Sequence, residues 1–116
     1  MRILLDECVP KPLKQEFNDL DFKTVRKMGW SETKNGALLK LMSESGFTIL
    51  LTSDRNLKYE QNLQQAGIAV IVMVARTNRL ADLLPLTSKV REALFTIKSA
   101  VHRLSRSGEL IEVGNY

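Results

Sequence analysis

The chain has 116 residues, a formal net charge of +4, 44% hydrophobic residues and 26% charged residues. This length suits one domain, residues 1–116, and this composition excludes a disordered or fibrous protein. The single cysteine, Cys8, excludes an internal disulfide and a zinc-binding cysteine cluster. The longest apolar run, residues 68–75, is too short for a membrane span of about 20 residues, and the first residues lack a signal-peptide pattern. We therefore expect a cytoplasmic protein that has no membrane partner.

The first elements in chain order are predicted to be a strand, a helix and a second strand. The apolar run 2–5 ends at Asp6-Glu7, and the prolines that follow can begin a helix but cannot continue a strand. Leucine and phenylalanine then recur at helical spacing over residues 13–20. Residues 22–25 alternate in polarity as a short strand does.

The rest of the chain continues this alternation. The predicted elements are a helix from Asn35 to a C-terminal Gly46, a buried strand over 47–52, a helix over 56–66, a buried strand over 68–74, a leucine-rich stretch over 80–84 with a long amphipathic helix after Pro85, and an edge strand or tail over 110–113. This order predicts a three-layer α/β/α fold with a central parallel sheet of about four strands and right-handed connections.

Two of these strands end in acidic residues. Asp6 and Glu7 follow the first strand, and Asp54 follows the strand over 47–52. Neighbouring parallel strands lie about 4.8 Å apart, so carboxylates at their ends would repel each other unless a cation such as Mg²⁺ or Mn²⁺ lay between them. The alternative is structural: Asp54 can cap the following helix and Asp6 can be a solvated loop residue.

Around these acids the sequence resembles the PIN-like family of small bacterial proteins. The resemblance covers roughly residues 1–85. It rests on Leu-Leu-Asp-Glu-Cys-Val-Pro at 4–10, which is similar to the family's opening LLDEN motif, and on Thr-Ser-Asp-Arg-Asn at 52–56, which is similar to its T-x-D-x-D/N motif. Residues 34–39 follow the register of the helix between these motifs.

The resemblance implies a Mg²⁺- or Mn²⁺-dependent endoribonuclease, in some relatives the toxin of a toxin–antitoxin pair. Asp6 and Asp54 would be catalytic metal ligands, and Glu7 would assist them. The sequence departs from the family at three places: Cys8 replaces an asparagine, Asn56 replaces an acid, and Asn35-Gly36 replaces the middle acid. An amide oxygen can bind a cation but adds no charge. The implied partners are RNA, an antitoxin protein and a second copy of the chain.

Further polar residues are candidates for RNA binding, each with a structural alternative. The candidates are Arg55, which precedes the helix predicted over 56–66, then Asn56, Tyr59 and Asn62 on one face of that helix, and Arg76, Asn78 and Arg79 after the strand over 68–74. Residues 76–106 carry a net charge of +5, which suits RNA or an acidic protein but also an ordinary solvated helix face. Glu32 could supply the missing acid if its loop folds inward, the alternative being a solvated loop residue. Asp82 is a further candidate, although a helix N-terminal position explains it equally well.

The remaining candidates are weaker. Trp30 could stack on a base or pack in the core, His102 fits a surface position, and Cys8 beside two acids lacks the positive surroundings of a nucleophilic thiol. Three functions stay open: the ribonuclease, a non-catalytic PIN-like module that binds nucleic acid or a protein, and a receiver-like signalling domain. The receiver requires a lysine where Arg76 or Asn78 stands.

Overall fold

A computed structural model of the chain describes residues 2–33, 35–54, 67–104 and 109–114, with the backbone alone at 35, 98–104, 109 and 110. The strands are β1 (Arg2–Leu5), β2 (Asp21–Thr24), β3 (Phe47–Thr52), β4 (Ala69–Val74) and β5 (Glu109–Gly114). The α-helices are α1 (Asn35–Glu44), α2 (Leu80–Leu83) and α3 (Thr87–Leu104), with 3-10 helices at Lys11–Phe17 and Leu84–Leu86. The helix predicted over 56–66 lies outside the described residues.

All described strands form one parallel sheet in the order β2-β1-β3-β4-β5. The predicted α/β/α layering is confirmed, because apolar side chains of the strands are buried on both faces of the sheet. The predicted count of about four strands is too low by one. The doubtful segment 110–113 belongs to β5, which pairs in parallel with β4.

Two apolar clusters occupy the two faces, as the period-2 alternation of side chains along a strand requires. On one face, Ile3 and Leu5 of β1 pack with the first 3-10 helix and with α3. On the other face, Leu4 packs with Leu38 and Met42 of α1. The central strands are buried on both faces, which explains their nearly continuous apolar sequences.

The connections determine where the sheet opens. The connection from β1 leads to β2 on one side of β1, whereas the connection from β2 crosses over to β3 on the other side. The strand order therefore reverses between β1 and β3, and in open parallel sheets ligands bind at the carboxyl ends of the strands beside such a reversal. The predicted right-handed sense does not hold for every connection. The first 3-10 helix and α3 cover the same face but connect strands in opposite directions, so their connections have opposite hands.

Contacts between elements hold the first 3-10 helix against the body of the protein. Its Phe17 stacks on Phe22 of β2, with ring centroids 4.9 Å apart. The Arg91 guanidinium of α3 lies 5.3 Å from the Phe17 ring centroid and donates to both carboxylate oxygens of Asp19. Arg91 thereby lowers the pKa of Asp19, chiefly through these side-chain hydrogen bonds. This region is a 3-10 helix with proline in its first turn, where the sequence predicted only a helix.

Candidate functional site

The backbone of Asp6 continues the sheet one residue beyond β1. Its N–H donates to the carbonyl of Leu51 over 2.9 Å, and Val25 N–H donates to the carbonyl of Leu5 over 3.1 Å. Leu5 and Leu51 are paired in the parallel ladder. Asp6 therefore lies at the carboxyl edge between β1 and β3, where the strand order reverses.

Hydrogen bonds hold both oxygens of the Asp6 carboxylate. Oδ1 accepts the backbone N–H of Glu7 over 2.8 Å, and Oδ2 accepts the hydroxyl of Thr52 over 2.8 Å. Bonds of this kind to an ionised carboxylate are stronger than those between neutral groups. They fix the direction of the carboxylate, which is only partly exposed.

Thr52 joins Asp6 to Asp54. The Thr52 hydroxyl donates to Asp6 and also accepts the backbone N–H of Asp54 over 3.1 Å. Thr52 has no exposed surface, and the next residue, Ser53, is 6% exposed. One buried hydroxyl therefore joins the side chain of Asp6 to the backbone of Asp54, and Asp54 itself is half-buried.

Cys8 completes this polar group. Its Sγ lies 3.4 Å from Thr52 Oγ1 and 3.8 Å from Asp6 Oδ2, and the Ser53 hydroxyl donates to it over 3.3 Å. Cys8 thus occupies the position between the two strand ends. The sequence predicted no site role for Cys8, Thr52 or Ser53. The available signal was two polar residues, Thr52 and Ser53, at the end of a buried apolar run.

Glu7 and Glu32 lie together at the rim of the site. Glu7 is exposed, and its Oε2 accepts the backbone N–H of Glu32 over 3.4 Å. Glu32 has a φ of 66°, a left-handed conformation that is unfavourable for a residue with a side chain. The loop therefore folds towards the acids, which is the condition for Glu32 to supply a missing acid. However, the contact is made by the backbone of Glu32 and not by its side chain.

The basic candidates divide into two groups. Arg76, Asn78 and Arg79 lie exposed in the loop after β4, at the same edge of the sheet as Asp6 and Asp54. The predicted residues Arg55, Asn56, Tyr59 and Asn62 lie outside the described residues, so their placement stays a prediction.

Two further candidates have structural partners. Asp82 accepts a hydrogen bond from the Thr77 hydroxyl at the start of α2, which matches its helix N-terminal interpretation. Trp30 packs edge-on against Phe47, with ring centroids 5.7 Å apart, beside the apolar cluster under α1. Core packing thus accounts for Trp30. The side chain of His102 lies outside the described part of the chain.

Within the described ranges, no group of three or more His, Cys, Asp or Glu side chains is arranged to hold a metal ion. None of the helices described there is long and apolar enough to cross a membrane. The chain matches no family model, no curated protein and no solved structure in comparisons with known proteins. The PIN-like resemblance therefore rests on the two sequence motifs alone.

Proposed function

We propose that this protein is a ribonuclease that uses Mg²⁺ or Mn²⁺, with Asp6 and Asp54 as metal ligands and Glu7 as an assisting acid. The observation that carries the proposal is the buried Thr52 hydroxyl, which contacts the side chain of Asp6 and the backbone of Asp54. The proposal is further supported by the strand order, since Asp6 and Asp54 follow adjacent strands at its reversal, where open parallel sheets bind ligands. The two motifs that resemble the PIN-like family contain these same acids.

The donor set fits a hard cation that is held only in part by protein. Mg²⁺ commonly binds one or two carboxylates, several water molecules and the phosphates of its substrate. Two carboxylates at one sheet edge satisfy this requirement, even though the described residues contain no three-acid group. The hydrogen bonds from Thr52 and Glu7 to Asp6 also support the fit, since carboxylates that bind metals are themselves usually oriented by such bonds.

The residues of the chain would then have distinct roles. A bound divalent cation supplies an acidified water and stabilises charge on a phosphoryl group. Thr52 holds the Asp6 carboxylate in one direction through its hydroxyl. Glu7, exposed at the rim, can accept a proton or contact a water molecule near the substrate.

A second candidate function is a non-catalytic module that binds nucleic acid or a protein. Among the described residues, no three acidic side chains are arranged to hold a metal ion, which favours this candidate, because two carboxylates hold a cation more weakly than three or four. The toxin role, the antitoxin partner and the homodimer stay predictions that rest on the resemblance.

The test combines metal binding and RNA cleavage. Asp6→Asn and Asp54→Asn keep the size of each side chain and remove its charge, and Glu44→Gln is the matched control because Glu44 is exposed at the far end of α1. We expect the first two variants to lose Mn²⁺ binding by calorimetry and at least about 100-fold of cleavage, as loss of transition-state charge stabilisation commonly costs. The control should behave as the wild type.

Three outcomes separate the candidates. Full cleavage by both Asp variants would refute Asp6 and Asp54 as the metal ligands of a metal-dependent ribonuclease. Binding of RNA without cleavage, at any Mn²⁺ or Mg²⁺ concentration, would identify the binding module. Failure of the wild type to bind either RNA or Mn²⁺ would exclude the ribonuclease and an RNA-binding module, and would leave only a module that binds a protein.

A further inference from the structure

A cleft of about 250 Å³ opens beside the acids, between the loop after β1 and the end of β2. Asp6 and Glu7 line one part of it, and Lys11 and Arg26 line another. The cleft is smaller than the pockets of about 300–1,000 Å³ that enclose drug-sized ligands. It therefore suits a small group of a larger ligand that extends into solvent.

The two cations of the cleft differ from the two arginines that form ion pairs. Arg2 and Arg91 form ion pairs with Asp21 and Asp19. Within the described part of the chain, by contrast, neither Lys11 nor Arg26 forms an ion pair or a side-chain hydrogen bond. Both are exposed, so their charges remain available to a ligand anion.

The backbone that carries each cation is nevertheless well fixed. Lys11 stands between Pro10 and Pro12 at the start of the first 3-10 helix, where proline restricts the backbone. Arg26 follows the buried Val25, whose N–H continues the sheet by donating to Leu5. The backbone positions of Lys11 and Arg26 relative to Asp6 are thus determined by the sheet and by the connection between β1 and β2.

We propose that Lys11 and Arg26 bind a phosphodiester group of single-stranded nucleic acid in this cleft. The proposal rests on the proposed function, because it places the phosphate beside the acids that would hold the cation. Arginine and lysine are the usual partners of phosphate, arginine through two parallel hydrogen bonds and lysine as a point charge. Asp6 and Glu7 repel the same phosphate, so a divalent cation at the acids should strengthen its binding.

The experiment measures binding of a short, fluorescently labelled, single-stranded oligonucleotide with 2′-O-methyl riboses, which resist hydrolysis. Fluorescence anisotropy gives Kd over a series of salt concentrations, with Mn²⁺ or with a chelator. The test variant is Lys11→Gln with Arg26→Gln. The control is Lys14→Gln with Lys40→Gln, which removes the same charge from residues that are not among those lining the cleft.

We expect the test variant to bind at least about tenfold more weakly at low salt. The slope of log K against log salt should fall by about 0.7, since the two cations bind one phosphate and each neutralised phosphate contributes about 0.7 on a single strand. The control should keep the wild-type slope, and the wild type should bind more tightly in Mn²⁺ than with the chelator. An unchanged slope and affinity in the test variant would overturn the proposal.

Two further measurements keep this proposal separate from the ribonuclease. Loss of oligonucleotide binding in the test variant, in a protein that cleaves no RNA, would support the phosphate site while the catalytic function fails. Displacement of the oligonucleotide by equimolar inorganic phosphate would show that the cleft recognises a free anion, and would overturn the assignment to nucleic acid.

Discussion

Thr52→Val is the substitution that best tests the physical basis of the site. Valine has nearly the shape of threonine and retains β-branching, so β3 should persist. The change removes the hydroxyl that donates to Asp6 and accepts from Asp54 at a position with no exposed surface. A hydrogen bond to a charged group contributes about 1.5–3 kcal/mol and a neutral one about 1 kcal/mol.

These contributions will not be lost in full. Asp6 and Asp54 are partly exposed, so water can replace some of the missing contacts. We expect a net loss of about 2 kcal/mol in the free energy of unfolding. At about 4 °C per kcal/mol for a domain of this size, Tm should fall by about 8 °C.

Urea unfolding followed by circular dichroism measures this loss, and Thr48→Val supplies the matched control. Thr48 is on the same strand, but its side chain is exposed, so its replacement should change stability by less than about 0.5 kcal/mol. A double-mutant cycle with Asp6→Ala should give a coupling of about 1–2 kcal/mol between Thr52 and Asp6. If Thr52→Val costs no more than the control, or if the coupling is zero, the Thr52 hydroxyl does not organise the site.

Three other predictions concern the fold. Gly46→Ala should lower the free energy of unfolding by about 1–2 kcal/mol because Gly46 has a φ of 80°. Gly36→Ala should raise it by about 0.5 kcal/mol because Gly36 lies in α1 with open space around it. Equal effects of the two changes in urea unfolding would contradict the backbone argument. Asp19→Asn should lower Tm at neutral pH. Arg91 lowers the pKa of Asp19, so the difference in Tm from the wild type should vanish as pH falls through that lowered pKa, where the carboxylate is protonated in both the folded and the unfolded state. A difference in Tm that persists in acid would show another cause. Leu50→Ala should lower the free energy of unfolding by about 3 kcal/mol, because Leu50 is fully buried under α1. A decrease below about 1 kcal/mol in urea unfolding would disprove close packing there.

Local signals explain how much of the fold the sequence predicts. Continuous apolar runs predicted the central strands, because strands buried on both faces need apolar residues at nearly every position. Gly46 predicted the end of α1, because the left-handed backbone conformation that follows a helix favours glycine. Residues 109–114 carry no comparable local signal. Their strand exists through its pairing with β4, which is a contact between distant parts of the chain.

Of the candidate site, only the acidic residues could be predicted from the sequence. Asp6 and Asp54 could be selected because they interrupt apolar sequence at strand ends. Thr52 could not, since a threonine within a β-favouring run is an ordinary strand residue. Its importance comes from the register of β1 against β3, which positions its hydroxyl at Asp6. Lys11 and Arg26 were missed for the same reason, because the cleft between them depends on how β2 lies beside β1.

The strand order is the physical condition on which a shared cation depends. Adjacent parallel strands lie about 4.8 Å apart, and the register of β1 against β3 places Asp6 opposite Thr52, two residues before Asp54. A Mg²⁺ ion binds oxygen ligands at about 2.1 Å. One intervening strand would double the separation to about 9.6 Å, which two short Asp side chains span poorly. The adjacency of β1 and β3 therefore makes a cation between Asp6 and Asp54 physically reasonable. On the β2 side of β1, Asp6 and Glu7 line the same cleft as Lys11 and Arg26, so the proposed cation site and the proposed phosphate site adjoin at Asp6.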